Sequence, residues 1–428
     1  MKLANPPRTG ASAAHRRVVV AVCMIVTVIE GYNLIVYGSV VPLLLADPAL
    51  GITGGQTGLI GGVVYLGAVL GALLAPALAE RTTAKTTLAT GIVVFGLGSL
   101  AFAVATGGTM LAFARLLNGL GVGAALTTAM TIARDQAPAR RASLVVTITM
   151  AGIPLGGVVA ALLAIPVLPA FGWRALFFTG AGLSVLIFAV LAPIHVPADP
   201  ARAAAGQAWT GRRKLAALVA GRRKWILLAV AGAVIANMVA WQGLNVWAAQ
   251  AMIDLGFSLS SALLFTFALT GAAVLGSFVT AWAADRHGSA RIAVATGTCT
   301  IAGLAGMLVL PTGPVTAAVC IALMGIGGHS TMNLVHTTAS SVFPAPARAA
   351  ALGWSNGTSF IGAFFGPTLG GVAIGAGGAH AVFGTFAVAA GVCLVAVSAL
   401  AGLARARRCD GPALNVHPPV AEALRDAG

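Results

Sequence analysis

The sequence predicts an all-α integral membrane protein with twelve transmembrane helices in two pseudo-symmetric bundles of six. Three observations predict this fold. The composition is too apolar for a water-soluble chain, twelve apolar runs each have the length of a membrane span, and a short motif recurs at corresponding positions of the two halves.

The composition excludes an ordinary soluble domain. Of 428 residues, 58% are hydrophobic and 8% are charged, whereas soluble domains carry about 25% charged residues. The apolar excess must face something other than water, and lipid is the obvious candidate. The 55 glycines agree with this interpretation, because small residues let membrane helices approach closely.

A membrane span needs about 20 apolar residues, and twelve runs meet this length. They cover 18–45, 57–79, 86–106, 109–133, 142–168, 175–194, 225–249, 259–283, 290–311, 314–338, 349–374 and 381–403. The long polar stretch 197–224 is a predicted cytoplasmic linker between an N-terminal bundle, 18–196, and a C-terminal bundle, 225–404. Residues 1–17 and 405–428 flank the bundles as a cytoplasmic N-terminus and tail.

Basic residues collect on one side of the predicted membrane. If the N-terminus is cytoplasmic, nearly every Lys and Arg lies inside, while Arg174 lies outside and Arg115 lies within a span. The positive-inside rule therefore predicts a multi-pass protein of the plasma (inner) membrane with both termini cytoplasmic. The formal net charge of +15 is then a belt along the inner leaflet, so nucleic-acid binding is not needed to explain it.

The repeat lies at the cytoplasmic turn after the second span of each half. An acid–arginine pair follows a glycine by nine residues in both places, as Gly71 with Glu80-Arg81 and as Gly276 with Asp285-Arg286. Two matches at the same topological position predict parallel six-helix repeats around a central path.

This motif resembles the signature of the major facilitator superfamily, and the resemblance covers nearly the whole chain. The second copy matches the pattern G-x8-D-R-x-G at Gly276, Asp285, Arg286 and Gly288. The first copy is degraded, because Glu80 replaces the aspartate, Thr83 replaces the second glycine and Pro76 interrupts the helix. Span four, from Arg115 to Gly123, is similar to the family's membrane-arginine motif. Asp135 with Arg140 and Arg141 resembles the charges that end that helix.

Within the superfamily, the sequence resembles the aromatic acid:proton symporters. Span one, from Glu30 to Gly38, is similar to their acid–glycine–aromatic–acid motif, and the glycine-rich segments 152–157 and 343–367 also fit. Two departures bear on the substrate: Asn33 stands where a second acid is usual, and Phe360 stands where an arginine is usual in span eleven.

Glu30 is the predicted proton-coupling carboxylate. The other nine acids fall in loops, helix ends or tails, whereas Glu30 falls in mid-span. An ionised group is costly there, and removal from water favours the protonated form. The alternative is a structural acid that hydrogen bonds lock between the first and fourth helices.

Arg115 is the lone cation within a predicted span, and we predict that it assists proton coupling. It could pair with Glu30, organise its protonation or meet an anionic substrate, since a guanidinium suits carboxylate binding. The alternative is a packing residue whose donors are satisfied by backbone carbonyls.

Mid-span polar and aromatic residues are the candidates for substrate binding. They are Tyr32, Asn33 and Tyr37 on span one, Trp241, Gln242 and Asn245 on span seven, His329 and Asn333 on span ten, and Trp354 and Asn356 on span eleven. His329 and Asn333 are four residues apart and share a helix face. Aromatic walls with a few polar groups suit a small aromatic ligand, although Trp and Tyr also populate membrane interfaces. We expect no metal site, because His329 and His336 are two helical turns apart.

Charged residues and glycines at the cytoplasmic turns are predicted gating elements. They are Gly71, Glu80, Arg81, Lys85, Asp135, Arg140, Gly276, Asp285, Arg286, Gly288, Arg291 and Arg348. Charge pairs there would hold the halves together when the inner gate is closed.

The resemblance and Glu30 together predict proton-coupled uptake of a small organic anion by alternating access. The expected substrate is an aromatic carboxylate of the benzoate or hydroxybenzoate type, carried by a monomer with protons as the coupling ion and no cofactor. A proton-coupled exporter of a small molecule or drug is the main alternative. A membrane enzyme or sensor is disfavoured, because the sequence shows no catalytic constellation and no large loop.

Overall fold

The computed structural model describes residues 13–137, 145, 148–196, 219, 221, 223–311, 313–343 and 348–409. Ten helices in these residues are long and apolar enough to cross a membrane, by length and composition. They are α1 (Ala13–Ala46), α2 (Gly54–Arg81), α3 (Ala84–Ala103), α4 (Gly108–Gln136), α5 (Gly152–Leu191), α6 (Arg223–Asp254), α7 (Leu259–His287), α8 (Ser289–Val309), α9 (Pro314–Val342) and α10 (Arg348–Cys409).

Helix α5 folds back on itself and supplies two spans. Its backbone leaves the helical conformation at Gly172, where φ is 72°. Tyr32 of α1 packs against the backbone near Gly156 and also donates a hydrogen bond to the carbonyl of Leu176 at 2.8 Å. A straight helix would separate residues 156 and 176 by about 30 Å, so the chain must reverse between them.

Helix α10 reverses in the same way at Gly377 and Gly378, where φ of Gly378 is 62°. Gly243 of α6 lies beside both Gly366 and Phe386, which precede and follow the reversal. With α5 and α10 each counted twice, the ten continuous helices give the twelve predicted spans. The predicted linker 197–224 and the two terminal segments lie largely outside the described residues.

One local expectation was wrong. Proline 76 does not interrupt the second helix, because α2 continues through Pro76 to Arg81. Proline removes one backbone hydrogen bond, and within a long membrane helix this loss is tolerated because the rest of the ladder remains. The degraded first copy of the repeat therefore still ends a complete span.

The glycines that begin the two repeat motifs have equivalent packing roles. A Cβ on Gly71 would overlap the backbone of Leu120 and Ala124, so α2 and α4 are in close contact there. A Cβ on Gly276 would press on Ile326, where α7 meets α9. In each half the motif glycine thus joins the second span of the bundle to the fourth.

The helix ends define two faces of the molecule. We call the face with Arg81, Lys85, Arg134 and Arg286 the basic end, and the face with Asp47 and Arg174 the opposite end.

The two halves are packed together towards the opposite end. Along α2, Gly54, Gly58 and Gly62 lie against the α10 backbone from Phe364 to Gly375, so closely that no Cβ would fit. Gly38 of α1 touches the carbonyl of Asn245 on α6, and Gly157 of α5 lies near Thr270 of α7. A glycine therefore lies at each of these three contacts between the halves.

Towards the basic end the halves have separate cores. One buried cluster holds residues of the first half alone, from Val19 on α1 to Leu191 on α5. Another holds residues of the second half alone, from Ile226 on α6 to Leu400 on α10. The large cluster that includes both Tyr37 and Trp247 joins the halves nearer the opposite end. The structure is thus closed at the opposite end and divided at the basic end.

Replacement of Gly58 by alanine tests the seam between α2 and α10. The added methyl group would collide with the Pro367 carbonyl and Gly371, and overpacking of this kind costs about 1–3 kcal/mol. We expect a lower thermal unfolding midpoint for Gly58→Ala in detergent. Gly55→Ala is the matched control, because its Cβ would meet no atom closer than 4.0 Å; equal midpoints for the two variants would contradict the seam.

Candidate substrate and proton-coupling site

The gap between the halves begins where α1 and α6 separate. Asn245 touches Gly38 through its backbone, and Gln242 and Met238 lie on the same face of α6, successively nearer the basic end. Both keep some exposure, 8% for Gln242 and 7% for Met238, although they are in mid-span. Both residues lie beyond the α1–α6 contact, on the side where the two halves have separate cores.

The face of α10 that points to the first half opens in the same direction. Its outer part, from Phe364 to Gly371, is pressed against α2. One and two turns nearer the basic end, Phe360 and Asn356 are half-buried. At Gly357 and Gly353, a Cβ would meet nothing within 4 Å. The same helix face thus passes from contact to open space.

Helix α9 adds a polar wall. The His329 ring packs against Trp241 with centroids 5.7 Å apart and planes tilted by 48°. His329 is buried, Asn333 is half-buried and Thr337 is exposed, so this helix face also opens towards the basic end.

Four of the predicted substrate-binding residues have unused hydrogen-bonding groups. The side chains of Gln242, His329, Asn333 and Asn356 form no hydrogen bond within the described part of the chain, yet none has an enclosed polar atom without a partner. Gln242 and His329 are each 8% exposed, and Asn333 and Asn356 are half-buried. The unused donors and acceptors of these four side chains keep them as candidates for substrate contacts.

Asn245 and Trp354, which were also predicted to bind substrate, form hydrogen bonds within the second half. Asn245 donates to the Trp241 carbonyl at 2.7 Å, which leaves its amide oxygen buried without a partner. Trp354 is 45% exposed and its indole donates to the Leu227 carbonyl at 3.3 Å. That placement, near the start of α6, is typical of an aromatic residue at the membrane interface.

The predicted residues of span one also serve helix packing in this conformation. Tyr32 bonds to α5, and the Tyr37 hydroxyl donates to the Thr57 carbonyl of α2 at 2.6 Å. The Asn33 amide donates to the Ile29 carbonyl at 2.9 Å and accepts a hydrogen bond from Ser99.

Sequence analysis missed the rest of this network. The Asn118 amide donates to the Ser99 hydroxyl at 3.0 Å and to the Phe95 carbonyl at 3.0 Å, so α1, α3 and α4 are joined by polar contacts. A polar residue three positions after Arg115 on the same helix was the available signal.

Glu30 is enclosed without a partner. Its side chain is 1% exposed, and neither carboxyl oxygen has a hydrogen-bond partner. Cys23 and Val26, on the same helix face, pack in the cluster that α1 forms with α3 and α4. The hydrogen-bonded lock that we considered as an alternative is therefore not formed among the described residues.

Arg115 binds the backbone of α1 one turn beyond Glu30. Its guanidinium donates to the carbonyls of Asn33 at 3.0 Å and Leu34 at 3.3 Å, and it lies 4.8 Å from the centre of the Tyr37 ring. The Nε donor is buried and unpartnered. Arg115 thus takes the position that we considered for a packing arginine, and it forms no ion pair with Glu30 within the described chain.

The predicted gating charges are spread along the basic end. Glu80, Arg81, Asp285, Arg291 and Arg348 are exposed. Among the described residues, none of these forms a salt bridge. Lys85 instead donates to the Ala192 carbonyl at 2.6 Å, and Arg286 stacks on Trp282 at 4.0 Å. Asp135 is half-buried, Gly288 ends α7 with φ of 91°, and Arg140 lies outside the described residues.

Sequence analysis assigned no role to two carboxylates at the opposite end. Asp47, after α1, accepts from the Trp173 indole at 3.4 Å and lies 3.9 Å from the Arg174 guanidinium. Asp254, at the end of α6, accepts from the Ala379 amide at 2.6 Å. In each half, the carboxylate at the end of the first span accepts a hydrogen bond from the residue just after the glycine at which the chain reverses. That residue is Trp173 in the first half and Ala379 in the second. The internal repeat therefore includes these contacts.

Comparison with known proteins decides the family. The model of the Major Facilitator Superfamily matches residues 23–333 and 238–422. The chain belongs to this superfamily. Its fold agrees with solved members: a bacterial homologue of the human lysosomal transporter Spinster, in an inward-facing and unoccupied conformation, superposes with a TM-score of 0.76 at 16% identity, covering 94% of this chain and 100% of that one. A D-xylose–proton symporter gives a TM-score of 0.71 at 16% identity, covering 89% and 96%.

Relatives in sequence are transporters of aromatic acids. The chain is 31% identical to the gentisate transporter of Corynebacterium glutamicum, with 86% of this chain and 84% of that protein covered. It is 26% identical to the 4-hydroxybenzoate transporter of Acinetobacter baylyi, with 84% and 85% covered. It is also 26% identical to the gallate transporter of Pseudomonas putida, with 85% and 87% covered.

Two asparagines of the second half test the difference between a polar side chain that is hydrogen-bonded within the protein and one that is not. Asn237 donates to the Gly328 carbonyl at 2.9 Å, so Asn237→Ala should remove one buried hydrogen bond between α6 and α9 and cost about 0.5–1.5 kcal/mol. Asn333→Ala removes no such bond and should leave the thermal unfolding midpoint nearly unchanged. Scans of both variants without ligand provide the measurement, and a large loss of stability in Asn333→Ala would show that its amide is not free.

Proposed function

We propose that this protein is a proton-coupled importer of aromatic carboxylates, with Glu30 as the proton carrier. The observation that carries the proposal is the enclosure of Glu30. An ionised carboxylate without a donor is costly away from water, so Glu30 must be neutral while it is enclosed and must meet water or a partner when it is ionised. A group with that requirement can couple protonation to a change of conformation.

The proposed substrate site is the gap between the halves. Trp241 and Phe360 supply aromatic surface, and Gln242, His329, Asn333 and Asn356 supply free hydrogen-bonding groups. This mixture suits a small ring with polar substituents. The named substrates of the relatives, which are gentisate, 4-hydroxybenzoate and gallate, are rings of this kind, and they support the same class for this chain.

The proposed orientation places the basic end in the cytoplasm, as the positive-inside rule favours. The structure is then closed to the outside and divided on the inside. Substrate and proton would enter in the alternative conformation, in which the glycine seam between α2 and α10 has parted. The exposed charges at the basic end would then come together as latches.

Uptake into liposomes tests the proposal. Purified protein in liposomes with an alkaline interior should take up labelled gentisate or 4-hydroxybenzoate faster than protein-free liposomes. Glu30→Gln should lose gradient-driven uptake by a factor of about ten or more, because its amide cannot carry a proton, and should retain exchange of substrate at equal pH.

Glu30→Asp is the matched control, because it keeps a carboxyl group and should retain part of the gradient-driven uptake. Full accumulation by Glu30→Gln would remove Glu30 from the role of proton carrier. If neither gentisate, 4-hydroxybenzoate nor benzoate is taken up by the unmodified protein, the proposed function fails.

A further inference from the structure

Trp241 lies one helical turn from the contact between α1 and α6. Gly38 of α1 touches the carbonyl of Asn245, and Trp241 precedes Asn245 by four residues, a rise of about 6 Å towards the basic end. Helix α6 is tied to α9 near this level, because the Asn237 amide donates to the Gly328 carbonyl at 2.9 Å. Trp241 therefore lies where α1 and α6 begin to separate.

His329 lies at a matching level of α9. Gly157 of α5 meets Thr270 of α7, and Gly325 of α9 packs on the carbonyl of Leu269, the neighbour of Thr270. His329 follows Gly325 by four residues, and α9 runs towards the basic end. His329 is thus also about one turn nearer the basic end than a contact between the halves.

The imidazole of His329 is held in place by packing. Its ring lies against Trp241, with centroids 5.7 Å apart and planes tilted by 48°. The Trp241 ring in turn lies on Gly328, where a Cβ would be 2.6 Å from Cε3. On another face, α9 is joined to α8 by the hydroxyls of Thr331 and Thr296, which are 2.7 Å apart. The position of the imidazole is therefore set without a hydrogen bond of its own.

The ring nitrogens of His329 have hydrogen-bonding capacity that the fold does not use. Among the described residues neither nitrogen forms a hydrogen bond, and neither is an enclosed atom without a partner. His329 is 8% exposed, and on the same helix face Asn333 is half-buried and Thr337 is exposed. A neutral imidazole offers one donor and one acceptor. A ligand that displaces water from such a group loses affinity unless it replaces the hydrogen bonds.

The surroundings of His329 suit a neutral polar group of a ligand. Within the described chain, α9 has no Lys, Arg, Asp or Glu, and those of α6 lie at its ends, as Arg223, Lys224 and Asp254. A carboxylate beside the imidazole would have no opposite charge near it, which is costly away from water. A ring hydroxyl carries no charge, and it offers one donor and acceptor lone pairs, as the imidazole does.

We propose that His329 is a specificity-determining residue whose imidazole binds a ring hydroxyl of the aromatic acid, with Trp241 as its positioning residue. This inference rests on the proposed function. Benzoate would leave the imidazole unpaired, whereas a hydroxylated benzoate restores the hydrogen bond, and sites of this kind reject the ligand that lacks the hydroxyl. One such bond corresponds to a preference of about tenfold.

Equilibrium binding of benzoate and of 2-, 3- and 4-hydroxybenzoate to the purified protein tests the inference. The unmodified protein should bind at least one hydroxybenzoate about tenfold more tightly than benzoate. His329→Phe keeps a ring against Trp241 but has no nitrogen, so this preference should fall below threefold while the Kd of benzoate changes less than threefold. His329→Gln is the matched control, because its amide keeps a donor and an acceptor and should retain a preference above threefold.

Retained binding of benzoate shows that His329→Phe is folded. A preference that survives in His329→Phe would overturn the inference, as would equal weakening of benzoate and the hydroxybenzoates. If the unmodified protein binds benzoate and the hydroxybenzoates equally, the inference fails while the proposed function stands. If it binds none of these anions, the proposed function fails as well.

Replacement of Gly328 by alanine tests the positioning role of Trp241. The added methyl group would press on the Trp241 ring and displace the imidazole that rests on it. We expect Gly328→Ala to reduce the preference for the hydroxybenzoate about threefold or more, with the Kd of benzoate changed less than threefold. Gly391→Ala is the control, because its Cβ would meet nothing within 4 Å. An equal preference in the two variants would remove Trp241 from the positioning role.

Discussion

Away from water, each buried polar group must find its partner within the protein, and this constraint organises the polar residues of the membrane interior. Most of them meet it locally. Asn33, Ser99 and Asn118 are joined by hydrogen bonds across three helices, with the Asn118 amide oxygen left without a partner. Trp247 donates to the Pro367 carbonyl at 2.7 Å. The groups that do not meet the constraint are then informative. Glu30 lacks a partner while enclosed, and the side chains of Gln242, His329, Asn333 and Asn356 form no hydrogen bond among the described residues.

Close contact of small residues is the second constraint on this fold. At the seam between α2 and α10, glycines allow backbone to touch backbone, and contacts of this kind are held by van der Waals packing rather than by burial of apolar surface from water. Among the described residues, no ion pair crosses this seam, and backbone atoms make many of its closest contacts. The same glycines that close the opposite end can therefore also let it part, as alternating access requires.

The seam and Arg115, a predicted proton-coupling residue, are physically connected. Arg115 contacts Tyr37, and the Tyr37 ring lies beside Gly61 and Pro367 where the halves meet. Pro367 in turn accepts the hydrogen bond from Trp247. A displacement of the Arg115 guanidinium would therefore move a side chain at the contact between the halves. Two discrete arrangements of this contact, each favoured by one state of Glu30, would be enough to link protonation to opening.

The sequence by itself determined the membrane class, the twelve spans and the two-half plan, because apolar length and the loop repeat are local properties of the chain. It also singled out Glu30 and Arg115, since charge within an apolar run is visible without a fold. The tertiary structure decided which polar residues are free. Asn33 and Asn333 are both mid-span asparagines. The Asn33 amide is hydrogen-bonded within the protein, whereas the Asn333 amide forms no hydrogen bond among the described residues. Likewise, Tyr37 lies at a contact between α1 and α2, and Trp354 lies at an exposed site near the basic end. The sequence could not show this, because the hydrogen-bond partners of these residues come from distant parts of the chain.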